Sequence, residues 1–407
     1  MCILTPDRSL RKIARKEGLV FFGTILTAGI SAGLSAWSCM RNDAAQTLGT
    51  YIASNKRLSW LLQVILPLVV LNSTVLYAYF AHDGRCDYGR LNSIPEIPVT
   101  WWHALAPLTV YFCTKWRMPI STSFMTLSVF APGSVIESMV WKSCNGYVYA
   151  FAAGFLIWFA VLFGPATLWF LKRNIRGFLA KRRMCATLLQ TLRAQNVEGR
   201  LERLAFQKRK RLKAKDAPGW RFVQSMTTSY LLAAWLTHDL ANMFVFLPRP
   251  VPPLAFAGML ALLNIGMLNI FRSEGGEIAW SVEGHTQVKD IRSATAIDVA
   301  YGTLLWYFKE VNDIPMSTTW VFFGLLAGRE IAIALYRAMV LEKNGAKEFR
   351  AVINSSASES EGKEKSGRQQ PKHVNRARNF VQKVFAYMFV GLAISLFMAD
   401  KIKSVVR

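Results

Sequence analysis

The sequence predicts an all-α polytopic membrane protein built from one unit written twice, and three observations carry that expectation. Of its 407 residues 52% are hydrophobic, 13% aromatic and only 18% charged, whereas a soluble domain is about a quarter charged. Apolar runs near the roughly 20 residues that cross a bilayer recur at Gly18 to Cys39, Leu58 to Ala81, Tyr147 to Leu171, Phe222 to Leu247, Pro253 to Phe271 and Phe380 to Met398. Finally, Pro119, Ile120, Ser121, Thr122, Ser123 returns as Pro315, Met316, Ser317, Thr318, Thr319, 196 positions later. At the same offset Asn42, Asp43, Ala44, Ala45, Gln46 meets His238, Asp239, Leu240, Ala241, Asn242. One gap-free register aligns two separated motifs, and internal duplication is the simplest explanation.

Taken in order, residues 1–17 form a basic N-terminal lead. The apolar run behind it is too long for a signal peptide and continues into a motif, so it reads as a retained first helix. Residues 18–171 make the first transmembrane repeat. Within it, Trp101 to Cys113 is a short apolar run, and Phe124 to Trp141 is interrupted by Pro132 and Gly133, the pattern of a broken or re-entrant helix. Residues 172–219 are a strongly basic segment, read as a cytoplasmic loop because Lys and Arg are retained on that side. The second transmembrane repeat covers 220–340. A flexible polar linker, rich in Ser, Lys and Gln and unable to bury a core, is expected over 341–378, and a final transmembrane helix and tail over 379–407.

The formal net charge of +24 does not require nucleic acid, because the basic residues flank apolar spans and no aromatic interleaving accompanies them. Six cysteines, all in the first half and without a Cys-x-x-Cys pair, argue against a disulfide framework or metal site. No nucleophile–base pair, metal cluster or nucleotide loop is present, so neither an enzyme nor a resident cofactor is expected.

A proline followed by Ser-Thr-Thr between apolar runs suggests a helix that starts inside the membrane, where irregular backbone survives only when buried in protein or lining a cavity. The N–H groups and hydroxyls of such a start bind anion oxygens. Ser121, Thr122, Ser123, Ser317, Thr318 and Thr319 are therefore the candidate anion-binding residues. Asp43 and Asp239 suit a hard cation such as sodium, or a proton. The second of these lies within an apolar stretch, where an idle Asp costs about 2.5–3.5 kcal/mol on insertion scales. Asn42 and Asp298 join them as candidates. His238 either titrates near the anion or simply bonds a carbonyl. Arg41, Arg249, Arg292 and Arg329 could neutralise an oxyanion but read first as helix-end or interface residues.

These motifs resemble the PiT family of inorganic phosphate transporters, whose duplicated signature runs roughly Gly-x-Asn-Asp-x-Ala-Asn and later Pro-x-Ser-Thr-Thr. Asn42, Asp43 and Ala45 fit the first signature, Asp239, Ala241 and Asn242 the second, and Pro315, Ser317, Thr318 and Thr319 the hairpin pattern. Met40 and Leu236 replace its glycine, Gln46 its last Asn, His238 its first Asn in the second copy, and Ser123 its final Thr. The resemblance implies two inverted repeats, each with a broken helix and a re-entrant hairpin, phosphate held between the hairpin tips and the signature motifs with Asn242 among its ligands, and phosphate carried with sodium or protons through a multi-pass protein of the cell membrane. A sulfate or other oxyanion carrier, and a phosphate-sensing membrane protein that transports nothing, are the alternatives. The lipid bilayer is the implied partner, and homo-oligomerisation stays open. With the N-terminus and the basic loop both cytoplasmic and the first hairpin re-entrant, the first half crosses an even number of times, whereas inverted repeats need an odd one. A break near Asn42, or a further helix inside the basic segment, would restore it.

Overall fold

The computed structural model describes residues 8–55, 58–180, 218–274, 291–355 and 372–406. All their regular structure is helical: α1 (Arg8–Cys39), a π-helical segment (Met40–Ala44), α2 (Ala45–Ser54), α3 (Trp60–Ala81), a 3-10 turn (Trp101–Ala104), α4 (Leu105–Lys115), α5 (Thr122–Leu127), α6 (Gly133–Ala180), α7 (Pro218–Phe244), α8 (Pro253–Arg272), α9 (Ile291–Val311), α10 (Thr318–Ser355) and α11 (Lys372–Val406). Among the described residues five stretches are long and apolar enough to cross a membrane: Trp60–Ala81, Gly133–Leu162, Pro253–Arg272, Thr318–Tyr336 and Arg378–Val406. Phe80, Leu254 and Phe389 are among the large apolar side chains left exposed, as a lipid-facing surface requires. The architecture is that of an all-α polytopic membrane protein.

Each Ser-Thr motif sits where one helix hands over to the next. In the first half α4 has 11 residues, about 16 Å at 1.5 Å per residue and roughly half the hydrocarbon thickness. After Lys115 the chain is non-helical until Ser121, whose Oγ accepts from Phe124 N at 3.2 Å and caps α5. In the second half α9 ends at Val311, residues 312–317 are non-helical, and Ser317 Oγ accepts from Trp320 N at 3.2 Å in the same way. The 196-residue offset therefore reappears as a repeated helix cap.

Beyond the caps the two halves diverge. The first-half helix stops at Leu127 and restarts at Gly133, because Pro132 has no N–H to continue a helical ladder and its ring crowds the preceding turn. At the equivalent place the second half has Gly328, and α10 runs through it without interruption to Ser355. The expectation of a broken helix in each repeat also needs correcting. Met40–Ala44 interrupts the first signature helix, whereas α7 is unbroken across His238 to Asn242 and ends two residues later, at Phe244.

Several boundaries move as well. Helix α1 already begins at Arg8, inside the expected basic lead. Residues of the expected 341–378 linker are helical up to Ser355 and again from Lys372, consistent with the Ala, Glu, Lys and Leu content of 341–351. Positions 356–371 lie outside the described residues, as does 181–217, most of the expected basic loop.

The chain divides into two compact units. One, made of Met1–Gly154, Gln224–Gly328 and Arg378–Arg407, holds both Ser-Thr motifs and both signature aspartates. Within it α3 and α8 are joined by reciprocal amide bonds between Asn72 and Asn264, at 2.8 and 3.0 Å. Helices α6 and α10 approach so closely that a Cβ on Gly154 would collide with the Leu325 carbonyl, and one on Gly324 with that of Tyr147. In the other unit, Phe155–Val223 with Arg329–Ala377, the Arg329 guanidinium lies 5.3 Å from the Trp158 ring and pairs with Glu330.

Candidate functional site

The two signature aspartates are buried, Asp43 at 2% and Asp239 at 0% exposure, and each is held by hydroxyls from both halves of the sequence. Thr122 donates to Asp43 Oδ2, and its repeat equivalent Thr318 donates to Asp239 Oδ2 at 2.9 Å. Across the repeats, Thr319 donates to Asp43 Oδ1 at 3.0 Å while Ser123 donates to Asp239 Oδ1 at 3.4 Å. The pattern is two-fold: one hydroxyl from an aspartate's own tip, one from the other tip.

Amides complete the shell. Asn42 Nδ2 donates to Asp43 Oδ1 and to the Ile120 carbonyl, both at 2.7 Å. Asn242 Nδ2 donates to Asp239 Oδ1 at 2.6 Å and lies 3.1 Å from Ser123 Oγ and 3.2 Å from Thr122 Oγ1. Gln46, the repeat equivalent of Asn242, reaches Asp43 Oδ1 at 3.4 Å. No ion pair involves either aspartate among the described residues. Neutral donors leave the charge of a buried carboxylate uncompensated, which favours uptake of a small cation or a proton.

Nearly all the sequence-derived candidates are thus brought together. Ser121 and Ser317 act as caps beneath the cluster, and Tyr301 anchors the second tip by donating to the Thr318 carbonyl at 3.0 Å. Two candidates stand apart. His238 does not face the aspartates: its Nε2 is 2.7 Å from the Leu305 carbonyl, the carbonyl-bonding role of the two weighed for it. Asp298 forms a separate buried site, accepting from Thr50 at 2.8 Å and Thr228 at 2.6 Å, and has Trp102 as its first-half equivalent. Arg249 is a loop clamp, donating to the Leu91 and Ile94 carbonyls at 2.9 Å.

Two residues of the site carry no mark in the motifs. Arg90, in the loop before the 3-10 turn, is fully buried, and burial pushes its guanidinium down to about 10, so it remains charged at neutral pH. Lys142, in α6, is 6% exposed. Both grip the approach to the second tip: Arg90 Nη1 donates to the Asn312 and Ile314 carbonyls at 3.2 Å, and Lys142 Nζ to the same two carbonyls at 2.9 and 2.8 Å. A lysine within an apolar span was the available signal. For Arg90 the sequence offered none.

No protein-family model matches the chain, and no curated protein matches it. Among solved structures it is similar to one described as "The sodium-dependent phosphate transporter", with 15% identity over 94% of this chain and 99% of that chain, and a TM-score of 0.49. At that score two chains need not share a mechanism.

Proposed function

We propose that this chain is a secondary transporter of inorganic phosphate, driven by a sodium or proton gradient and working by alternating access across the cell membrane. The supporting observation is that the four tip hydroxyls best suited to bind an oxyanion, those of Thr122, Ser123, Thr318 and Thr319, are all donated to Asp43 and Asp239. Carboxylate and phosphate oxygens compete for these protons. While both aspartates are charged, the hydroxyls are engaged and an incoming anion meets two negative charges. A sodium ion or proton on the aspartates discharges them and frees the hydroxyls, so cation binding precedes anion binding and each promotes the other.

Oxygen ligands of the kind sodium prefers are at hand in the two carboxylates, the hydroxyls and the Ile120 carbonyl, which Asn42 and Thr319 also approach. Asp298, bound among the described residues by two threonine hydroxyls, is a second place for a cation or proton to load. In this reading the anion occupies the space between the tips, with Asn242 as a further donor. The carrier chemistry needs no covalent step and no resident cofactor.

One observation favours a second reading, a sensor that binds the anion without moving it. The second signature helix has no irregularity comparable to the π-helical Met40–Ala44, so the two halves are not equally equipped to bend at the signature. Purified protein in liposomes separates the readings: labelled phosphate uptake is followed under a sodium gradient, a proton gradient or neither, with sulfate as competitor. Uptake under one gradient names the coupling ion, and stronger competition by sulfate than by phosphate itself reassigns the substrate. Phosphate binding without uptake under any gradient selects the sensor.

A further inference from the structure

Arg90 and Lys142 are held mainly by backbone carbonyls, and the carboxylates nearest Arg90 in charge terms, those of Asp313, Asp239 and Glu310, lie beyond ion-pair distance. Neither makes an ion pair among the described residues. Lys142 is satisfied, spending its three protons on the Asn312 carbonyl and side-chain oxygen and the Ile314 carbonyl. Arg90 is not. Among the described residues its Nε has no hydrogen-bond partner, and its Nη2 faces only His238 Nε2, at 3.2 Å. That same imidazole nitrogen is 2.7 Å from the Leu305 carbonyl. A carbonyl can only accept, so Nε2 carries the proton and has no lone pair for the guanidinium. Donor therefore meets donor, and a buried, charged Arg90 is left with two unanswered N–H directions.

Position gives this surplus its meaning. Asn312 and Asp313 are exposed, whereas Met316 and Ser317 are buried. Arg90 and Lys142 lie under the loop between them, and His238 is the neighbour of Asp239. The two cations thus hold the backbone that links the exposed Asn312 to the buried Ser317, whose neighbour Thr318 donates to Asp239. The residue after Lys142 joins the same clamp, because Ser143 Oγ accepts from Ser317 N at 2.9 Å. Asn312 Oδ1, held by Lys142, in turn accepts from Ile314 N at 3.1 Å.

We infer that Arg90 and Lys142 form an entry site for a tetrahedral oxyanion, and that the anion, by taking their donors away from the Asn312 and Ile314 carbonyls, releases the loop that closes the second tip. A dianion is a far better acceptor for a guanidinium and an ammonium than two neutral carbonyls are. Binding and unlatching are then one event, and only an anion able to engage both cations opens the way to Ser317 and Thr318. The inference deepens the transport reading and rests on it for the identity of the anion.

The test is hydrogen–deuterium exchange of the full chain in lipid nanodiscs, with inorganic phosphate, sulfate or chloride, and with phosphate binding measured in parallel. In the wild type, phosphate should speed exchange at Ile314 and Ser317 by about tenfold, the effect of releasing one charge-assisted bond, and chloride should not. Arg90→Gln and Lys142→Gln should exchange fast without phosphate and respond little to it, with Arg90→Lys and Lys142→Arg restoring part of the response. Phosphate that binds while slowing exchange at these amides, or leaving it unchanged, overturns the entry site but leaves the transport reading standing. Faster exchange from protein that takes up no phosphate in liposomes keeps the entry site and removes the transport reading. Absence of phosphate and sulfate binding overturns both. The wild-type measurement decides even if no variant folds.

Discussion

The two Ser-Thr tips begin alike and are secured differently. At the first, the Ile120 carbonyl accepts from the neutral amide of Asn42 at 2.7 Å. At the second, His238 stands where Asn42 would be, turns away to Leu305, and leaves the loop to two buried cations from other elements. The inner shell is nearly symmetric, with each aspartate bound by one hydroxyl from each tip. The outer shell is not. Duplication explains the first fact, since equivalent residues meet around an approximate two-fold. The second shows that equivalent positions need not keep equivalent work: a neutral bond makes a permanent anchor, whereas a cation held by carbonyls makes one that an anion can undo.

The largest effects should come from removing one charge at a time. Asp43→Asn and Asp239→Asn should each reduce gradient-driven phosphate uptake to background, because the amide cannot bind a proton or neutralise sodium in the same way. Normal sodium or proton dependence in either variant would remove that residue from the coupling site and end the two-fold description. Next come the hydroxyl pairs. Thr122→Ala with Thr319→Ala strips Asp43, and Ser123→Ala with Thr318→Ala strips Asp239; each pair should weaken phosphate binding by about 10- to 100-fold, the range of a lost hydrogen bond to a charged group. Equal losses in equilibrium binding support the symmetry, and a loss confined to one pair places the anion against one tip.

A smaller effect is expected where both halves share a helix contact. Gly154→Ala or Gly324→Ala forces α6 and α10 apart, at about 1–3 kcal/mol of overpacking, read as a lower thermal midpoint in detergent with phosphate affinity little altered. The smallest effect concerns the caps. Ser121→Ala and Ser317→Ala should each cost about 1 kcal/mol, but α5 has six residues and α10 has 38, so only Ser121→Ala should let its helix fray in hydrogen exchange. Equal fraying would mean that tertiary packing, rather than length, protects the second tip.

Much of the inner site was legible because it is written twice. Asp239 in an apolar stretch, and hydroxyls behind a proline, are expensive or unusual enough to be noticed without a structure. The different fates of the helices after the two tips were also in the sequence, in Pro132 against Gly328, although both positions lie outside the repeated motifs. Arg90 was illegible for a physical reason. Its acceptors are backbone carbonyls 222 and 224 positions away, and a carbonyl has no residue identity to recognise. His238 showed the converse: its chemistry was plain, but which way its ring points depends on α9.

Composition, periodicity and repetition are properties of the chain, and they alone pointed to an all-helical protein with apolar spans, one duplicated unit, and the aspartates and hydroxyls as its candidate site. It took the folded molecule to show that each aspartate draws on both tips, that Asp298 sits with Thr50 and Thr228 apart from them, and that Arg90 and Lys142 close over one tip only. Those facts depend on which distant segments share a buried space, where every donor must find an acceptor among whatever neighbours the fold supplies.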